Sequence, residues 1–259
     1  MPFTPAHPAA ILPLPRLLGK WSVPSALVIG SMTPDFAYFL RLDLPRAESH
    51  SLTGLLWFCL PAGWIAYLTF HLLLKRPLHS LTPGWLAIRL SHAVGPGLLP
   101  RTSPLAVTLS LLLGALTHLL WDSFTHNGPF VQAIPFLQIK VFSIGAYPFY
   151  AYTLLQHFSS AAGLILLGLW LYRWYQTAPI DRTPVPSLRA SQRLIAIAAL
   201  LTLPALCGLA TALPRLTFPL TMRTIEIAVG HAVVSVFSAF GLIVIAFATW
   251  WHLSPSRTK

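Results

Sequence analysis

Gly114-Ala115-Leu116-Thr117-His118-Leu119-Leu120-Trp121-Asp122-Ser123-Phe124-Thr125-His126 begins inside a long apolar run and ends on three ionisable side chains set four residues apart. At about 100° and ~1.5 Å per residue, His118, Asp122 and His126 share one slowly drifting helical stripe. His118 and Asp122 are one turn apart, close enough to hold a single cation between imidazole and carboxylate. His126 is a further turn out and suits a second ion or the substrate. Asn127-Gly128-Pro129 reads as a stop signal, so the helix is expected to end there. The plainer reading of the pair is an i, i+4 hydrogen bond that steadies the helix end. Against it stands the expense of ionisable groups at the border of hydrocarbon. Asp122 is one of only six acidic residues in the chain.

Composition sets the solvent for this stretch. Of 259 residues 55% are hydrophobic and 9% are charged, with a mean hydropathy of +0.68. Soluble domains carry about 25% charged residues. The deficit and the long apolar runs point to an all-α, polytopic helical membrane protein. The net charge of +11 is scattered between apolar runs, which suits membrane orientation and argues against a nucleic-acid partner. Cys59 and Cys207 both lie in apolar runs and read as small buried hydrophobes. The proline-rich opening does not read as a signal peptide.

Five spans are expected, near Leu52–Leu74, Leu105–Trp121, Phe158–Trp174, Leu194–Leu213 and Ile227–Trp251. Each approaches the ~17–25 residues that cross a bilayer. Before them, residues 1–52 read as short helices broken by proline. There Thr4-Pro5 and Thr33-Pro34-Asp35 look like N-caps followed by Pro at the first helical position. A six-span alternative makes residues 17–40 a crossing helix and puts His7 roughly 30 Å from Asp122. Residues 1–175 read as a metal-site membrane domain and 176–259 as two further spans, together one continuous bundle. Lys75, Arg76, Arg89 and Arg101 in one loop, Arg182, Arg189 and Arg193 in another, and Arg257 and Lys259 in the tail belong on the cytoplasmic side. Residues 1–52 and the loop 122–157 then fall on the opposite side. The apolar, aromatic part of that loop reads as a lid lying on the bilayer.

This topology delivers further ligands to the same rim: His7, Asp35 and His50. Zinc and similar ions take imidazole nitrogen and carboxylate oxygen, usually from three protein groups, and leave a position for water. Asp35, His50, His118 and Asp122 would satisfy one ion; His7, sharing Asp122, could hold another. Such a site performs hydrolysis by metal-activated water, with Asp35 and Asp122 at the chemistry. Arg41 and Arg46 are the nearest basic residues. Either could hold a phosphate, Arg41 being the one carried forward as a candidate contact, with solvated arginine the plainer reading for both. His157, heading the third span, could support the site. His71, His79, His92 and His252 read as interfacial histidines of the cytoplasmic side.

Met1-Pro2-Phe3-Thr4-Pro5-Ala6-His7-Pro8-Ala9-Ala10 resembles the opening of an uncharacterised bacterial membrane family. Gly30-Ser31-Met32-Thr33-Pro34-Asp35, Ser49-His50-Ser51, the stretch from His118 to His126 and Gln156-His157 resemble its further landmarks, over most of the chain to about residue 170. That family resembles inner-membrane proteins described as metal-dependent hydrolases. The order His, Asp, His, HxxxD is also similar to zinc-dependent phospholipase C and related single-strand nucleases. Carried over, Asp35, His50, His118 and Asp122 match the ligands of one zinc, and His7 and Asp122 part of another. The HxxxE pair of that fold has no match, since Glu226 lacks a histidine four residues before it. The resemblance therefore implies a partial metal cluster.

The function expected from the sequence is metal-dependent hydrolysis, most simply with zinc, of a phosphoester or lipid-linked substrate met among membrane lipids. The expected location is the bacterial cytoplasmic membrane, with the C-terminus in the cytoplasm and the metal site on the extracytoplasmic face. The competing reading is a transporter or regulatory membrane scaffold whose histidines hold a structural metal or handle protons. Transporter sites usually sit near the bilayer midplane, whereas these candidates gather at one end.

Overall fold

The computed structural model describes residues 3–94, 102–181 and 188–254. Arg101, Arg182, Arg257 and Lys259, invoked above for orientation, lie outside the described residues. Among the described residues, the regular structure apart from one short hairpin is helical. Five helices among them are long and apolar enough to cross a membrane. With α1 as the short helix Pro24–Gly30, they are α2 (Leu52–Ser80), α3 (Pro104–Thr125), α4 (Ala151–Thr177), α5 (Ala190–Arg215) and α6 (Met222–Leu253). The chain is a multi-pass membrane protein. The exposed Ile165, Leu166, Leu169 and Trp170 of α4 fit contact with lipid, which is as apolar as they are.

Residues 17–40 do not make a sixth span. They break into helices at Leu14–Leu18, Pro24–Gly30 and Phe36–Phe39 with tighter turns between them, because proline and glycine interrupt the pattern every few residues. Contacts divide the chain into two units: Met1–Tyr67 with Arg101–Trp174, and Leu68–Pro100 with Tyr175–Lys259. In the second, α5 and α6 pack through Leu200 and Val244 against Leu81. His71 and His79 are buried there, where the sequence suggested interfacial positions. Ser80 Oγ accepts from the Trp251 indole at 2.8 Å, and His252 reaches the Leu73 carbonyl at 3.0 Å. The Ser80 hydroxyl and the Leu73 carbonyl thus satisfy ring N–H groups that lipid could not.

The first unit carries the site. Glycine sets its closest helix contact: a Cβ on Gly30 would strike the Leu111 carbonyl, and one on Gly114 would strike the Leu27 carbonyl. α1 and α3 therefore touch backbone to backbone. Val23, Ala26, Val107 and Leu111 fill one side of that seam, with Tyr67 of α2. α2 lies antiparallel to α3, since Trp64 donates to Thr108 at 3.2 Å while His50, just before α2, meets Asp122 near the end of α3. α4 closes the other side through the Trp121 indole on Ser159 Oγ at 3.0 Å.

One local expectation is corrected and two are filled in. Neither Thr4 nor Thr33 is an N-cap, since Phe3 and Met32 hold those positions; the Thr4 hydroxyl donates to Asp35 and that of Thr33 to the Gly30 carbonyl. α3 ends at Thr125, and His126 is extended (φ −125°, ψ 144°). The residue before Pro129, Gly128, is extended too, as that proline requires, so the helix stops at the expected signal. Finally, the loop 122–157 contains an antiparallel hairpin, β1 (Lys140–Ile144) and β2 (Tyr147–Tyr150). Gly145 turns it at φ +59°, the left-handed first corner that two-residue hairpins favour.

Candidate metal centre

The N-terminal arm supplies the first two groups by simple periodicity. Thr4–Ile11 is a 3-10 helix, in which residues three apart eclipse one another. Thr4 and His7 thus face the same way, and Pro5 and Pro8 hold the tight winding. Thr4 reaches Asp35 Oδ2 at 2.5 Å, while His7 Nε2 lies 3.6 Å from Asp122 Oδ1. Asp35 ends the turn Thr33–Asp35 and is buried. His50 follows the one-turn helix Arg46–Ser49, and Ser51 then starts α2 by accepting from the Gly54 amide at 2.8 Å. A π-turn at Leu55–Cys59 follows, and Cys59 donates back to the Ser49 carbonyl.

These pieces converge on α3. His50 Nε2 lies 3.3 Å from Asp35 Oδ1 and 3.5 Å from Asp122 Oδ2. His118 Nε2 lies 3.8 Å from Asp35 Oδ2 and 3.5 Å from Asp122 Oδ2. The His7 and His118 rings stack at 3.7 Å. His126 Nδ1 is 3.6 Å from Asp122 Oδ1, so it stays beside the carboxylate although it has left the helix. All six residues named from the sequence as ligands come together. Of the two supporting candidates, Arg41 and His157 are both exposed.

The arginine at the cluster is Arg46, whose guanidinium donates to Asp122 Oδ2. The sequence favoured a solvated arginine here, because nothing in its spacing ties it to a residue 76 positions on. Thr4 was legible only in retrospect, as the residue one 3-10 turn before His7. The Ser31 carbonyl that holds His118 carries no side-chain signal at all.

The donors are prepared as ligands. His118 Nδ1 meets the Ser31 carbonyl at 2.8 Å. A carbonyl only accepts, so Nδ1 carries the proton and Nε2 turns a lone pair inward. Ser49 Oγ donates to the Arg46 carbonyl and can accept from His50 Nδ1 at 2.9 Å, which fixes the same tautomer in His50. Ligating histidines are oriented by such partners on the far nitrogen. The inward atoms, His50 Nε2, His118 Nε2, Asp35 Oδ1, Asp122 Oδ1 and both nitrogens of His7, are buried and make no hydrogen bond. Orphaned buried polar atoms are rare and call for an explanation. Two triplets, His7–Asp35–His118 and His50–His118–Asp122, each bring three ligand atoms within 4.8 Å of one another.

A divalent ion fits this set. Tetrahedral bonds of ~2.0–2.1 Å separate neighbouring ligand atoms by about 3.3 Å, close to the spacings above. Charge agrees: two buried carboxylates face the Arg46 guanidinium, and buried charge demands compensation. Burial drives the His7 imidazole down to about 3, aided by His118 and opposed by Asp122 and Asp35. Burial also takes His126 down to about 4, with Asp122 opposing and Arg46 assisting. Both are therefore neutral near pH 7, the form that binds metal. For Asp35, burial raises the carboxyl, but the His50 imidazole 3.3 Å away, His118 and the Thr4 hydroxyl outweigh it and leave the group below its usual value.

Beside the cluster an open cleft of about 450 Å³ is lined by Arg46, His50, Asp122 and His126 on its polar side, and by Leu119 and Phe130 among its apolar residues. The sequence profile of a domain of unknown function, DUF4184, matches residues 1–252. No curated protein and no solved structure matches the chain.

Proposed function

The chain belongs to the DUF4184 family, and from that premise and the geometry of its centre we propose a divalent-metal-dependent hydrolase acting on a phosphoester or other lipid-linked substrate. Zinc suits the mixed imidazole and carboxylate donors. The observation that carries the reading is the set of buried, unpartnered nitrogen and oxygen atoms facing one another at ligand spacing. His50, His118, Asp35 and Asp122 would hold one ion; His7 with Asp122 and Asp35 would serve an adjoining one. A divalent cation in such a site supplies a Lewis acid that activates water and polarises a phosphoryl or carbonyl oxygen. Asp35 and Asp122 would take a proton from attacking water through whichever carboxylate oxygen does not hold the ion. The buried arm with His7 shields one side from bulk solvent, and the cleft leaves the other open to substrate.

The same reading places the protein in a bacterial cytoplasmic membrane, C-terminus inside and centre outside. Lys75 and Arg76 in the last turns of α2 with Arg89 after it, and Arg189 and Arg193 at the start of α5, support that orientation. The test is elemental analysis of purified protein with His118→Ala and Asp122→Ala variants, beside phosphodiester and phospholipid hydrolysis. Wild type should hold metal and cleave at least one substrate, and each variant should lose both while still inserting. Full metal occupancy in both variants ends the reading.

A further inference from the structure

We infer that Arg46 is the anchor for the phosphate of an amphiphilic substrate, and that Leu119 and Phe130 receive its apolar part. The class of substrate rests on the hydrolase reading; the binding does not. Arg46 stands at the junction of the centre and the cleft. One edge of its guanidinium donates to Asp122, its Nε is buried with no hydrogen-bond partner, and a third of the side chain is exposed along the cleft wall. A planar fork with donors to spare matches the oxygens of a phosphate. An anion entering here also meets the negative Asp122, so a fixed cation is required at this point of the wall.

The apolar side of the cleft leads along the chain, from Phe130, to exposed apolar residues. Phe130 packs edge-on against Phe124 of the last turn of α3, with centroids 4.5 Å apart. Beyond it Phe136, Ile139, Val141, Phe142 and Ile144 are exposed. β2 ends at Tyr150 and α4 begins at Ala151, so the hairpin sits at the mouth of a membrane span. Exposed apolar side chains at that depth belong in the headgroup and acyl boundary. A lipid could therefore slide its phosphate onto Arg46 without leaving the bilayer. Free phosphate shares the anchor chemistry but not the apolar contact.

The test uses the full chain, zinc-loaded in detergent. Inorganic phosphate and a short-chain phosphatidic acid are titrated separately by calorimetry, with metal content measured on every sample. Wild type should bind both, the lipid more tightly. Arg46→Gln should weaken both by about tenfold or more, the scale of a lost charge-assisted hydrogen bond, with metal content unchanged. Arg46→Lys, which keeps the charge and loses the fork, should recover part of the loss. Phe130→Ser should weaken the lipid more than phosphate. The inference is overturned if wild type binds neither probe, or if Arg46→Gln binds both as wild type does. It is also overturned if Arg46→Gln loses its metal and Arg46→Lys retains it, since the arginine then only balances charge at the centre. Arg46-dependent binding with no hydrolysis would sink the hydrolase reading and leave the anchor standing.

Discussion

Gly114→Ala is a change of one methyl group that should reach the proposed metal centre from one helical turn away. A Cβ at Gly114 would overlap the Leu27 carbonyl and lie 2.7 Å from the Ser31 nitrogen, where ordinary contacts begin near 3.4 Å. α1 and its following turn must therefore retreat by at least about 0.7 Å. Ser31 moves with them, and its 2.8 Å bond to His118 Nδ1 would open to about 3.5 Å, beyond useful hydrogen-bond length. Overpacking costs about 1–3 kcal/mol and the lost buried bond about 1–3 kcal/mol. The better helix propensity of alanine returns about 1 kcal/mol. A net loss near 3 kcal/mol corresponds to roughly 6–12 °C in Tm for a chain of this size. With His118 no longer held in its tautomer and rotamer, zinc affinity should fall about tenfold or more. Thermal unfolding in detergent and competition with a zinc-chelating dye measure both effects. Gly168→Ala is the control, because a Cβ there meets nothing within 4 Å. Unchanged Tm and zinc affinity in Gly114→Ala would refute the argument that backbone contact between α1 and α3 sets the centre.

Thr4→Val keeps the shape of the arm and removes the donor to Asp35. Zinc affinity should drop about tenfold, and a dye competition curve superposable on wild type would show that the hydroxyl is irrelevant. Acidification should destabilise the metal-stripped protein: His7 titrates near its ordinary 6.5 when unfolded and near 3 when folded, so the unfolded chain binds more protons between those values. The stability present above pH 6.5 is lost as pH falls towards 3, and His126, held near 4, adds to the same slope. A Tm that stays flat from pH 7 to 4, or a His7→Asn variant with an undiminished slope, contradicts this. For orientation, Asn127→Cys and Ser254→Cys are made in a Cys207→Ser background, Cys59 being buried. An impermeant maleimide on intact cells should label the first and spare the second; the reverse pattern would invert the proposed topology.

What could be read from the residues followed from short-range periodicity and from solvent. Long apolar runs between charged loops demanded helices across a bilayer, since unpaired backbone is intolerable there, and five such helices are present. The spacing of His118 and Asp122 put both on one stripe, and they lie 3.5 Å apart. His7, Asp35 and His50 were brought to that rim by counting crossings, which needs no knowledge of packing. Other features depended on contacts between residues far apart in the chain. Arg46 on Asp122 spans 76 positions, and the Ser31 carbonyl on His118 spans 87. Whether an arginine is solvated or paired, and which imidazole nitrogen bears the proton, depends on what lies across a gap of a few ångströms. The extended His126 and the hairpin 140–150 depend on the same kind of local competition among weak preferences. Residue spacing alone therefore determined the membrane class, the number of crossings and the inventory of donors. Tertiary packing decided their orientation, their hydrogen-bond partners and the cleft beside them, because those rest on distances that no one-dimensional pattern encodes.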